Sequence, residues 1–250
     1  MADREDYGID APRVVRNLGI IGGAFLVGGV LPRGVPGSAV LHMFWPSGLS
    51  LLAACAWMLA SSLWLKKGVM RSLVGERRWR GDEMVLDVGC GRGLVSVEAA
   101  RRVPHGSVHG VDIWQAEDLS GNGPEAILIN AAAAGVSDRL TIDTGDARKL
   151  PYPDALFEVV LSMTTIHNIP DAAGRRQAIS EAWRVLRPGG QILIFDIRHA
   201  RTYLRQLRDE GATEITLKGP ILLWGPVGWR FSAVKPSNSG SLITSPVDTV

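Results

Sequence analysis

Cysteine is scarce in this chain, with two residues in 250. Cys55 lies in an apolar run and Cys90 sits between two glycines, a placement that excludes a disulfide framework or a paired metal-ligand motif and fits a reducing compartment. Neither sign of charge dominates: 27 Lys and Arg face 25 Asp and Glu, a formal net charge of +2. No nucleic-acid partner is therefore expected, because phosphate binding needs a concentrated basic surface. The histidines His42, His105, His109, His167 and His199 are scattered among different segments, so no metal site is expected either. No small-residue cleavage site of the A-x-A type follows the first apolar run, which argues against a secretory signal peptide.

What the chain has in excess is apolar sequence near its beginning. Mean hydropathy is positive, +0.11, and the excess lies before about residue 66. Asn17 to Leu31 and Pro46 to Leu65 carry no charge, and Pro32, Gly34, Pro36 and Gly37 interrupt helical continuity between them. The second run reaches the roughly 20 residues of a bilayer helix and the first falls short. The pattern predicts a transmembrane helical hairpin over 17–65, preceded by a cytoplasmic segment, 1–16, with Trp45 and Trp64 at the interfaces. A monotopic hairpin and a buried helix pair are the competing readings. Gly19 and Gly23, at GxxxG spacing, are expected to pack on a groove of Ala53, Ala56 and Ala60, and such small-residue faces also suit homo-oligomers. Lys66, Lys67, Arg71, Arg77, Arg78 and Arg80 follow the second run, which predicts a cytoplasmic location for both ends at an inner membrane. The basic segment 66–81, with Val69, Met70, Leu73 and Val74 at helical spacing, suits either an anionic membrane surface or the edge of the next domain.

From Gly81 the texture becomes alternating short apolar runs and helical patterns, which predicts an α/β domain over 82–235 built on a mostly parallel sheet. Met84–Val88 is the first strand and feeds Gly89-Cys90-Gly91-Arg92-Gly93, then a helix from about Leu94 to Arg102. A dinucleotide fingerprint would place its third small residue at Leu94, one position beyond Gly93, so the spacing disfavours a dinucleotide. The second strand ends at Asp112, where an acidic side chain reaches a ribose diol. Further strands are expected at Leu140–Thr144, Phe157–Ser162 and Gln191–Phe195, with a helix from Ala173 to Val185 stopped by Arg187-Pro188-Gly189-Gly190 and another from Arg201 to Leu207. Glu214–Leu217 and Trp229–Val234 read as an antiparallel pair, and their apolar connection Gly219–Gly228 is expected to touch a bilayer, wall a lipophilic pocket or pack in the core. Gln115–Pro124 suits a mobile cover or an ordinary loop, and the Ser/Pro-rich stretch 236–250 is expected to be disordered.

VLDVGCGRG, GVDIW, GDARKLPYPDALFEVVLS and RVLRPGGQILIFD, in this order, resemble the class I S-adenosylmethionine-dependent methyltransferases over residues 82–200. The stretch LPYPDALFE is most similar to the branch containing the ubiquinone and menaquinone C-methyltransferases, whose members generally lack transmembrane helices. The resemblance implies a Rossmann-like doubly wound, seven-stranded sheet of order 3-2-1-4-5-7-6 with the last strand antiparallel. It also implies that S-adenosyl-L-methionine is the cofactor. Asp87, Gly89, Gly91 and Gly93 would hold its methionine end, Asp112 its ribose and Asp146 its adenine amino group. Ile113, Trp114 and Ala147 would line the base, and Ser162 is placed with the same cofactor set.

Thr164, Thr165 and Asn168 are the acceptor-binding candidates, and His167 is the candidate general base because imidazole titrates near neutrality and the residue stands at the carboxyl end of the sheet. Histidines in that position also serve simply to shape a pocket. The expected activity is methyl transfer to a small lipophilic acceptor such as a quinone, phenol, thiol or lipid, drawn from a membrane whose lipids the hairpin contacts. Methylation of a membrane protein and a catalytically silent cofactor-binding module are the alternatives.

Overall fold

The computed structural model describes residues 5–30, 38–115 and 117–237. Two helices, α1 (Pro12–Gly29) and α2 (Ser38–Ala60), pack antiparallel; α2 passes through a π-helical turn, Ser61–Leu65, straight into α3 (Lys66–Val74). The α/β part follows as β1 (Met84–Val88), α4 (Leu94–Arg102), β2 (Ser107–Asp112), α5 (Pro124–Ala134), β3 (Leu140–Thr144) and β4 (Phe157–Met163). It continues as α6 (Ala172–Val185), β5 (Leu186–Asp196), α7 (Ala200–Asp209), β6 (Thr213–Leu222) and β7 (Val227–Val234).

The seven strands form one sheet of order β3-β2-β1-β4-β5-β7-β6. β3, β2, β1, β4 and β5 run parallel, and β7 is antiparallel to both β5 and β6. Every residue of β4 is buried, as expected of a central strand covered on both faces. Phe157 and Val160 join the core under α6 and α7, while Val159, Leu161 and Met163 join the core under α3 and α4. The Arg187-Pro188-Gly189-Gly190 turn lies within β5 as an irregularity in its pairing with β4, which jumps from Phe157–Leu186 to Val159–Gln191.

Three expectations are corrected at the N-terminal end. The second apolar helix starts at Ser38 rather than Pro46, and Pro46 sits inside it; apolar helices tolerate an internal proline where neighbours satisfy the freed backbone. The continuous helix His42–Val74, 33 residues, is long and apolar enough to cross a membrane. It is the single such helix among the described residues, and Arg13 and Arg16 lie within α1, so the expected hairpin of two spanning helices has one candidate span. The helix seam also differs, because Gly22 meets Gly48 and Leu52, Gly19 meets Cys55, and Gly29 meets Trp45, whereas Gly23 faces open space. The connecting turn 31–37 falls outside the described residues, as does the expected tail from 238 on.

The basic segment serves the domain rather than forming a free cationic strip. Val69, Met70, Leu73 and Val74 are buried against the sheet's α4 face. Lys66 is 3% exposed and pairs with Asp10 at 3.0 Å, and Arg77 pairs with the buried Glu83 at 3.0 Å. The apolar connection after β6 is shorter than expected, since β6 continues to Leu222 and Leu223 and Trp224 are buried.

Candidate active site

β1 delivers the chain to the carboxyl edge of the sheet, where Gly89, Gly91 and Gly93 all adopt positive φ. At Gly89 (φ 75) glycine is required, because a Cβ would also overlap the Thr165 side chain. The Gly89 and Cys90 N–H groups donate to the Val111 carbonyl at 2.8 and 3.2 Å, tying the loop to β2. Asp87, on β1 below the loop, is 1% exposed; its Oδ2 accepts from Ser96 Oγ at 2.5 Å, while Oδ1 is buried without a partner. Burial pushes its carboxyl up to about 7. Cys90 lies alongside, and burial raises its thiol well above the usual range.

At the end of β2, Asp112 is locked by the backbone: Oδ2 accepts from Gly91 N–H at 2.8 Å and Oδ1 from Trp114 N–H at 2.6 Å. Each oxygen retains acceptor capacity for a diol. Beyond β3, Asp146 is engaged differently from expectation, since its two oxygens grip the Arg148 guanidinium, with Nη2 at 2.5 Å and Nε at 3.0 Å. That hydrogen-bonded pairing holds the Asp146 carboxyl below its ordinary range.

Opposite this row stands the segment after β4. Thr164 takes φ 56, rare for a residue with a Cβ, and is fixed there by its N–H donating to the Phe195 carbonyl at 2.8 Å. Thr165 Oγ1 reaches the Gly89 carbonyl at 3.3 Å. His167 follows in a short 3-10 turn and is not the isolated histidine its sequence context indicates. Its Nδ1 lies 2.5 Å from Oδ1 of Asp196, a fully buried carboxylate at the end of β5. The contact lies off the imidazole N–H axis, since Nδ1 makes no well-aligned hydrogen bond. Asp196 is itself held by Ile197 N–H at 2.7 Å and His167 N–H at 3.1 Å.

These groups line one cavity of about 610 Å³. Asp87, Gly89, Gly91, Asp112, Ile113, Asp146, Ala147, Thr164, Thr165, His167 and Asn168 all border it. Three of the expected cofactor residues do not. Trp114, at φ 61, turns its indole outward to donate to Thr144 Oγ1 at 2.8 Å. Ser162 is buried and donates to the Val88 carbonyl at 2.9 Å, holding β4 to β1. Gly93 shapes the turn, as a Cβ there would collide with Ile127.

The sequence reading missed one wall entirely. Residues 5–11 strap the loop after β2: Asp10 bridges Leu119, Ala11 N–H donates to the Asp118 carbonyl at 3.0 Å, and Arg92 grips Asp6 at 2.7 Å. Tyr7, Asp10 and Ala11 thereby line the cavity. No periodicity marks this strap, because it is held by side chains scattered along the chain, Ser62, Lys66, Arg92, Ser120 and Asn130, together with backbone bonds to the loop. Asp118, across the cavity on that loop, has its carboxyl raised by burial.

Residues 85–190 match a family described as "Methyltransferase domain". The 27-O-demethylrifamycin SV methyltransferase of Amycolatopsis mediterranei is 36% identical over 124 residues, covering 50% of this chain and 42% of that protein. The demethylmenaquinone methyltransferase of Symbiobacterium thermophilum is 34% identical over 127 residues, 50% of this chain and 47% of its own. The chain thus spans less than half the length of these relatives. Among solved structures, the 4+2 cyclase SpnF superposes with a TM-score of 0.55 at 20% identity, covering 69% of this chain and 82% of that one, a likeness of fold.

Proposed function

We propose that this chain, which carries a class I S-adenosylmethionine-dependent methyltransferase domain, methylates a small lipophilic acceptor beside a membrane to which its N-terminal helices attach it. The observation that carries the reading is the shared cavity: the acidic, glycine-lined cradle for a cofactor and His167, backed by the buried Asp196, border the same space as residues of α1 and α2. Relatives named for methylating demethylmenaquinone and a demethylrifamycin favour a quinone- or phenol-like acceptor over a protein.

The residues present fit S-adenosylmethionine. The unpartnered Oδ1 of Asp87 offers a buried anionic acceptor for an ammonium group, reached past glycines that leave the backbone uncovered. The pre-oriented Asp112 suits a ribose diol, and Ile113 and Ala147 flank the place of the base, with Asp146 beside them. The chemistry such a cofactor supplies is a sulfonium methyl open to in-line displacement, so the protein contributes chiefly alignment and exclusion of water. His167 adds a proton acceptor: with Nδ1 turned to Asp196, Nε2 is the nitrogen left for an acceptor hydroxyl, and the carboxylate stabilises the imidazolium that forms. Gly89 and Thr165, packed on each other, fix the distance between the cofactor side and the acceptor side.

Exposed Ile20, Val27, Met43 and Trp45 on α1 and α2, with Trp64 in the π-helical turn, support attachment to a bilayer, and Lys67, Arg71 and Arg78 support a cytoplasmic catalytic domain. The test is transfer of label from S-adenosylmethionine by the full-length protein into an organic-soluble product of a membrane lipid extract.

A further inference from the structure

The cavity does not end at the catalytic sheet edge. One wall lies outside residues 85–190 and includes Val14 from α1, Met58 from α2, and Trp224 and Pro226 from the turn between β6 and β7, with Asp10, Lys66 and Arg198 at its margin. Trp224 belongs to the same apolar cluster as Met163, and Ile197 packs against that cluster immediately after Asp196. Hydrocarbon therefore begins one residue from the partner of His167.

The polar groups around this wall are engaged with one another. Asp10 Oδ2 accepts from Lys66 Nζ at 3.0 Å and from Trp224 Nε1 at 3.2 Å. Lys66 also donates to the Tyr7 and Gly8 carbonyls at 2.8 and 2.9 Å. The π-helical turn places Ser61 and Ser62 inward, Ser61 donating to the Leu223 carbonyl and Ser62 Oγ accepting from Asp10 N–H at 3.0 Å. Asp10 and Lys66 border the cavity as a matched pair, so a charged or peptidic group seated against them would lose hydration to groups already engaged with each other. An apolar group would not.

We infer that Val14, Met58, Trp224 and Pro226 form a subsite for the hydrocarbon tail or ring of the acceptor, which makes the two N-terminal helices part of the substrate site as well as an attachment. This rests on the lipophilic-acceptor reading and deepens it. The occupant is the apolar portion of a phenol- or quinol-like molecule, with its reactive oxygen directed to His167.

The experiment uses full-length protein in nonionic detergent, saturated with S-adenosylhomocysteine, and measures equilibrium binding of phenol, 4-butylphenol and 4-octylphenol. Val14→Trp and Met58→Trp fill the subsite, Met58→Leu is the conservative variant, and Leu128→Trp on exposed α5 is the control. The wild type is expected to bind octylphenol in preference to phenol. Each filling variant should weaken octylphenol by about 10-fold, the loss of two or so buried methylenes, while Met58→Leu and the control retain it. Phenol and S-adenosylhomocysteine binding should stay within about twofold, which also verifies folding. Octylphenol binding that ignores both filling variants, or a wild type indifferent to chain length, overturns the subsite. Tighter binding of an acidic or neutral peptide than of octylphenol, abolished by the same variants, overturns it as well. Label transfer to a lipid extract that persists unchanged in both variants removes the subsite yet leaves the lipophilic-acceptor reading standing. Chain-length-dependent binding without any lipid methylation supports the subsite and removes that reading.

Discussion

His167 Nδ1 stands 2.5 Å from Asp196 Oδ1, although the two residues are 29 positions apart on the ends of different elements. On the function proposed above, the buried Asp196 carboxyl stabilises a proton that the cavity-facing imidazole takes from the acceptor. Asp196→Asn should therefore lower kcat by about 10²-fold, in the range of general-base contributions. S-adenosylhomocysteine binding should remain, and combining it with His167→Ala should cost little beyond the single change. Additive losses in the double variant would mean that the two act separately.

With Asp87 holding the cofactor's ammonium group, as proposed, cofactor affinity should depend on pH. The Asp87 carboxyl is pushed up to about 7 by burial, so it is increasingly protonated below that value and ceases to attract an ammonium group. S-adenosylmethionine affinity measured calorimetrically should fall by up to about tenfold per unit as pH drops below about 7, and Asp87→Asn should bind weakly with a flat profile. The same shift acts on the fold with the opposite sign. The folded protein binds this proton more tightly than the unfolded chain, so Asp87 favours folding at low pH. That contribution is lost as pH rises from the ordinary carboxylate range to about 7.

Glu83 should behave in the reverse sense. It is fully buried and accepts from Arg80 N–H at 2.8 Å, Gly81 N–H at 2.9 Å and Arg77 at 3.0 Å. Burial opposes its charge, but these backbone donors and Arg77 overcome that and hold the carboxyl below its usual range. Its stabilisation is present above the unfolded carboxylate range and lost as pH falls through the lower folded value. Glu83→Ala should cost about 3 kcal/mol in denaturant unfolding at neutral pH, because Arg77 is left buried without its partner.

Gly89→Ala tests the cradle without touching a charge. The added Cβ would meet the Thr165 side chain from a backbone at φ 75, so cofactor binding should drop by at least about tenfold. Pairing it with Thr165→Ser should recover only part of the loss, since the strained φ remains.

The strands and the acidic residues at their carboxyl ends were legible because apolar runs, glycine turns and terminal aspartates all encode local geometry, whereas the order of the strands came with the family resemblance. The partner of His167 was not, since it depends on β5 closing beside β4. Trp114 looked like a base-stacking residue by position, yet a positive φ rotates its indole to Thr144. The uncharged run that starts at Pro46 understated α2, which begins at Ser38 and carries Pro46 internally. The strap 5–11 offered no pattern at all, being held by backbone groups of the loop at 118–120 together with the side chains of Ser62, Lys66, Arg92 and Asn130.

The central claim is tested most directly by incubating the full-length protein in detergent with radiolabelled S-adenosylmethionine and a membrane lipid extract, with Asp112→Ala in parallel. Methyl transfer to a lipophilic acceptor predicts saturable label in the organic phase, lost in the variant. Cofactor binding without any label in that phase, but with label transferred to a membrane protein, would contradict it.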